Sequence, residues 1–131
     1  MHEQTLREFF EGMVPARALA SDLSGSLKTN GNVTRHAIVD MDGEFAVRPD
    51  HLIRVCDAVI QGEIAPEHLR AIGFCLQTSD AFFWNGSDGG GERVANVTAD
   101  WSAPEINFQL TVANASAWRR YLAGGEYDLS A

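Results

Sequence analysis

Leu6, Phe9, Phe10 and Met13 fall three and four residues apart, so the chain opens on one apolar helical stripe. Pro15 interrupts or restarts that helix, and Ala16 to Leu23 continue as a second short segment closed by Ser24-Gly25-Ser26. Lys28 to Asn32 is polar and turn-like. Thr34 to Met41 and Glu44 to Val47 are β-prone, and the Asp42-Gly43 pair between them predicts a hairpin. Beyond Pro49 the pattern returns to helical spacing, with Leu52, Val55, Cys56, Val59 and Ile60 on one face. Asp50 is the expected N-cap of that helix and Gly62 its break. Pro66 suits the first turn of another helix, on which Leu69, Ile72, Gly73 and Leu76 face inward. The short link between these two segments predicts a helical hairpin.

The second half alternates differently. Phe82-Phe83-Trp84 leads into a glycine-rich stretch, Gly86 to Gly91, and then into Arg93 to Trp101. There Ala95, Val97, Ala99 and Trp101 alternate with Asn96, Thr98 and Asp100, which predicts a half-buried strand and a second hairpin. Ile106, Phe108 and Leu110 alternate as a further strand after Pro104. Ala115, Trp118, Tyr121 and Leu122 predict a terminal helix, capped at Thr111 or Asn114 and stopped by Gly124-Gly125. The expected fold is therefore α+β, a single domain over residues 1–131. It has a small, mainly antiparallel sheet packed with a central helical hairpin, plus N- and C-terminal helices.

Composition narrows the class. Of the 131 residues, 45% are hydrophobic and 21% charged, which fits a globular domain and excludes a disordered chain. No apolar run approaches the roughly 18 residues that span a bilayer, so no membrane is expected. Acid precedes any apolar stretch at the N-terminus, so no secretory signal is read there and the expected address is cytoplasmic. Cys56 and Cys75 lie within apolar helical patterns and are expected as buried free thiols. Eighteen acids against ten bases give a net charge of −8. Such a surface repels nucleic acid and attracts basic proteins.

No motif specifies a reaction. Asp40 to Glu44 fails as a calcium loop, because Gly43 falls two places early and position twelve is His51. Gly86 to Gly91 lacks a lysine, brings Asp88 and Glu92, and precedes β-prone sequence, so a hairpin connection is expected rather than a phosphate cradle. His2, His36, His51 and His68 include no i, i+4 pair, and the cysteines lack ligand spacing, so no metal and no cofactor are expected. No Gly-x-Ser-x-Gly elbow occurs.

A binding surface remains. Trp84, Asp88, Glu92, Asp100 and Trp101 cluster around the predicted second hairpin, with aromatics as anchors and acids selecting a basic protein partner. The competing arrangement puts Phe82, Trp84, Phe108 and Trp118 in the core and leaves the acids as a solvated rim. An enzyme alternative is a small hydrolase or isomerase using Asp80, Asp100 or a histidine in a pocket beside the sheet. A third is a homo-oligomeric module, such as a homodimer, burying the same aromatics against a second copy.

Between Glu44 and Leu122, Leu52, Cys56-Asp57-Ala58-Val59, Gly62-Glu63, Pro66, Leu69, Ala71-Ile72-Gly73-Phe74, Ser79-Asp80-Ala81-Phe82, Trp84, Trp101, Pro104-Glu105-Ile106-Asn107 and Leu110-Thr111 resemble a small, largely uncharacterised group of bacterial proteins. Similar small acidic proteins include immunity proteins that neutralise polymorphic or contact-delivered toxins. The resemblance implies a non-catalytic acidic protein-binding domain, an immunity-like inhibitor of a basic toxin or nuclease. It carries over no active site.

Overall fold

The computed structural model describes residues 1–30, 33–36, 41, 43–86 and 89–129. The chain runs α1 (Glu3–Phe10), α2 (Ala16–Ser26), β1 (Leu27–Asn30), β2 (Val33–His36), β3 (Phe45–Ala46), α3 (Pro49–Ile60), a 3-10 turn at Pro66–His68, α4 (Leu69–Thr78), β4 (Phe82–Phe83), α5 (Gly89–Ser102) and α6 (Val112–Leu122). The architecture is α+β, with far more helix than strand. Among the described residues no helix is long and apolar enough to cross a membrane.

The apolar stripes read from the sequence become the core, except that Met13 and Ile60 are exposed at the ends of theirs. Leu6, Leu52, Val55, Val59, Leu69, Ile72 and Leu76 are all buried, in one cluster with Leu19, Val94, Val97, Trp101 and Trp118. Burying each such aliphatic side chain stabilises the fold by about 1.5–3 kcal/mol. Cys56 and Cys75 are buried and unlinked. Burial pushes the Cys56 thiol up, away from the thiolate a nucleophile requires.

Three parts of the sheet differ from expectation. Val33–His36 pairs antiparallel with Leu27–Asn30 rather than with Glu44 to Val47. Residues 37–40 and 42, which the expected Asp42-Gly43 hairpin needs, lie outside the described residues. β3 instead pairs with β4, in parallel, with Phe45 opposite Phe82 and Ala46 opposite Phe83. Among the described residues the strands thus form two separate pairs, one antiparallel and one parallel, rather than one mainly antiparallel sheet. Ile106 to Leu110 is not a strand: Ile106 lies in a turn, and no regular element follows until α6.

The largest correction is α5. Arg93 to Trp101 is helical, and the second hairpin does not exist. Val94, Val97, Thr98 and Trp101, at i, i+3, i+4 and i+7, are its buried face. Val97 and Trp101 belong to both patterns, because a spacing of four satisfies a strand and a helix alike. Length decides between them: fourteen residues suit a helix better than a strand.

Helix pairing also differs. The two most extensive contacts join α4 to α5 and α3 to α6, so α3 and α4 do not form a mutually packed hairpin. Gly73 explains the first pair, because a Cβ there would lie 2.6 Å from Trp101 Cβ and 2.8 Å from the Ser102 nitrogen. Asp57 and Arg119 form an ion pair across the second. At the start of α3 the N-cap is Arg48 rather than Asp50, with Pro49 at the first helical position. α6 begins as expected: Thr111 Oγ1 accepts the Asn114 N–H at 3.1 Å.

Candidate functional site

Parallel pairing gives β3 and β4 a common end, and the residues that precede both strands meet there. The Phe45 N–H donates to the Ala81 carbonyl at 2.7 Å, and the Val47 N–H to the Phe83 carbonyl at 2.8 Å. Glu44 and Asp80, 36 positions apart in the sequence, therefore flank one opening. The start of α1 closes its floor. Glu3 is a buried carboxylate that accepts the Met41 N–H at 3.1 Å. Together with Thr78, Ser79 and Ala81 these residues line a cavity of about 460 Å³. Ser79 Oγ accepts the Ala81 N–H at 3.0 Å and fixes the turn that presents Asp80.

Among the described residues, three carboxylates and no lysine or arginine line this cavity. Arg7 comes near Gly43, but it lies 3.4 Å from Glu11 and over the Phe45 ring. Among the described residues neither Glu44 nor Asp80 makes an ion pair, and both are exposed. The arrangement favours an ammonium or guanidinium group entering from outside, because no cation among the described residues is paired with either carboxylate.

The five residues singled out from sequence do not form one patch. Trp84 is half-buried at the other end of the β3–β4 pair. There it lines an apolar cavity of about 380 Å³ with Val47, Pro49 and Phe83. Asp88 lies outside the described residues. Glu92 is exposed in the first turn of α5, where the positive end of the helix dipole favours it. Trp101 is completely buried, edge-on to Trp118 with ring centroids 6.1 Å apart. Asp100 is buried as well. Neither offers an exposed anchor, which corrects the expected surface: α5 turns inward the two side chains that the strand reading divided between a wet and a dry face.

Asp100 has a different task. Trp118 Nε1 donates to its carboxylate at 3.1 Å, and so does the Tyr127 hydroxyl. Tyr127 stands edge-on to Tyr121 and Phe108, pinning the C-terminal segment to α5. Burial raises the Asp100 pKa, and the two hydrogen bonds only partly oppose this. A carboxyl whose folded pKa is raised favours folding when protonated and opposes it once pH rises through that folded value. Asp100→Asn keeps an acceptor for both donors and should match or exceed the wild type in melting temperature at pH 7. The difference should shrink toward pH 4, and melts at the two pH values check it.

The groups named for an enzyme do not converge either. Asp80 faces the acidic cavity, while Asp100 is engaged by Trp118 and Tyr127. Among the described residues no three His, Cys, Asp or Glu side chains are grouped to hold a metal ion. The acidic cavity was missed in the sequence because its members sit at positions 3, 44 and 80, with no local spacing to link them. No protein-family model matches the chain, and neither does a curated protein or a solved structure.

Proposed function

We propose that this chain is a non-catalytic, acidic protein-binding domain of the cytoplasm whose docking point is the cavity bordered by Glu3, Glu44 and Asp80. The carrying observation is that these carboxylates border a concave space of about 460 Å³ that no cation among the described residues lines. A lysine or arginine side chain from a partner would find acceptors on three sides there. The net charge of −8 would draw a basic surface toward it before contact. An immunity-like inhibitor that masks a basic toxin or nuclease is the role that fits this chemistry. The partner anchor thus moves from α5 to the β3–β4 edge, with Glu92 left as a peripheral charge.

Backbone amide NMR with a short oligo-arginine peptide tests where a cationic ligand sits. Shifts should concentrate at residues 43–44 and 78–81, weaken at moderate salt, and disappear in the Glu44→Lys, Asp80→Lys double variant. Both substitutions are at exposed positions, so each should change stability by no more than about 0.5 kcal/mol. Shifts centred on Glu92 or on the C-terminal acids, unchanged in the double variant, would rule the cavity out.

A further inference from the structure

His51 is a buried histidine on α3 that the binding surface does not use. Its ring stacks on Phe10 of α1 at 5.3 Å between centroids and lies 4.9 Å from Phe45 of β3. Phe82 of β4 stands edge-on to both phenylalanines, so the four rings together join four elements. Its polar contact is equally specific. The Arg48 backbone N–H donates to His51 Nδ1 at 3.0 Å, the reciprocal half of a capping box at the start of α3.

A backbone amide has only a proton to offer, so Nδ1 must carry the lone pair and the neutral ring holds its proton on Nε2. We propose that neutral His51 is a pH-sensitive latch, closing the corner where α1, β3 and α3 meet and releasing it when Nδ1 takes up a proton. The second proton removes the acceptor from the Arg48 N–H and sets two donors against each other. It also places a cation beside the Arg48 guanidinium, whose Nη2 is 3.4 Å from Nε2. Glutamate or glutamine, the usual occupants of this capping position, remain acceptors throughout the pH 5–7 range. Histidine makes the cap titratable.

The charges facing the ring do not cancel this effect. Asp50 on α3 and Glu11 beyond the end of α1 favour the imidazolium, while Arg48 opposes it. Asp50 already holds the Arg48 guanidinium at 3.1 and 3.3 Å, and Glu11 holds Arg7 at 3.4 Å. Burial is the largest influence and moves the His51 pKa down from its ordinary 6.5. A base whose folded pKa is lowered gives its full stabilisation above the unfolded value. That stabilisation is lost as pH falls from about 6.5 through the folded value. The latch also adjoins a cavity of about 530 Å³ lined by Phe10, Glu11, Phe45, Arg48 and Asp50, which its opening would enlarge.

Two measurements on the full chain test the latch. The first is an NMR titration of the His51 ring nitrogens in the wild type. The latch requires the Nε2–H tautomer at pH 7 and a midpoint below 6.5, whereas an Nδ1–H ring or a midpoint at or above 6.5 overturns it. The second compares amide exchange protection at residues 48–52 in the wild type and in His51→Gln, which keeps an acceptor but does not titrate. Wild-type protection should fall about tenfold between pH 7 and pH 5, the loss of roughly one hydrogen bond, while that of the variant stays level. Equal loss in both proteins overturns the latch, since His2, His36 and His68 are common to them.

Discussion

Trp101→Ala should cost about 3–5 kcal/mol of stability, among the largest effects any single truncation in this chain can have. The indole is completely buried where α4, α5 and α6 meet, edge-on to Trp118 and directly beneath Gly73. Removing it empties space that these neighbours cannot refill without moving whole helices. In a chain of this size the loss should lower the melting temperature by roughly 10–20 °C. Trp84, half-buried at the rim of the apolar cavity, gives the contrast: Trp84→Ala should cost clearly less. Urea unfolding of both variants decides the matter. A Trp101→Ala protein as stable as the wild type would mean that the residue is a surface group and that α5 is wrongly oriented.

Gly73→Val should be comparably damaging, for the opposite reason. A Cβ at this position would lie 2.6 Å from Trp101 Cβ, 2.8 Å from the Ser102 nitrogen and 3.0 Å from the Thr98 carbonyl oxygen. Two of these three atoms are backbone, so relief requires α4 and α5 to separate. Even alanine, which gains about 1 kcal/mol of helix propensity over glycine, should be net destabilising, because overpacking costs about 1–3 kcal/mol or more. Valine adds two methyl groups to the same clash. Separation of the helices would also strain the 2.6 Å hydrogen bond from Gln77 Nε2 to Thr98 Oγ1. Gly89→Ala is the matched control, since no atom of the described residues would lie within 4 Å of a Cβ at that position. It should be neutral or slightly stabilising. Chemical denaturation of the three variants checks the order, and a Gly73→Val protein as stable as Gly89→Ala would refute the close approach of α4 to α5.

What the amino-acid pattern revealed and what it hid follow from the range of the interactions. α1, α3, α4 and α6 were legible because each carries several apolar residues at helical spacing with a proline, threonine or glycine marking an end. Those signals act within one or two turns and need no partner. α5 was misread because Val97 and Trp101 satisfy two periods at once, and the Gly86 to Gly91 stretch suggested a hairpin connection. The parallel pairing of Phe45–Ala46 with Phe82–Phe83 joins two-residue segments across a whole helical unit. Strands that short have no alternation to detect.

The proposed docking surface was less legible still. Glu3, Glu44 and Asp80 come together only because β3 and β4 run in parallel and α1 closes their common end. Asp100 and Tyr127 meet through the path of the C-terminal segment, which no local spacing encodes. Aromatic and acidic residues in sequence proximity suggested a partner surface around Trp84, Asp88, Glu92, Asp100 and Trp101. A helix sends neighbours in sequence to different faces, and α5 does so with Glu92 and Trp101. The net charge of −8 is independent of that error, and it continues to favour a basic partner.

The most direct test of the binding account is affinity capture from a lysate of the cells that make this protein. Three baits are compared: the wild type, the Glu44→Lys, Asp80→Lys double variant, and Glu92→Lys. Each is used at low and at moderate salt, with mass spectrometry as the readout. One basic protein should be retained by the wild type and by Glu92→Lys, lost from the double variant, and weakened by moderate salt. A partner held equally by the double variant, or no protein that distinguishes the baits, would contradict it.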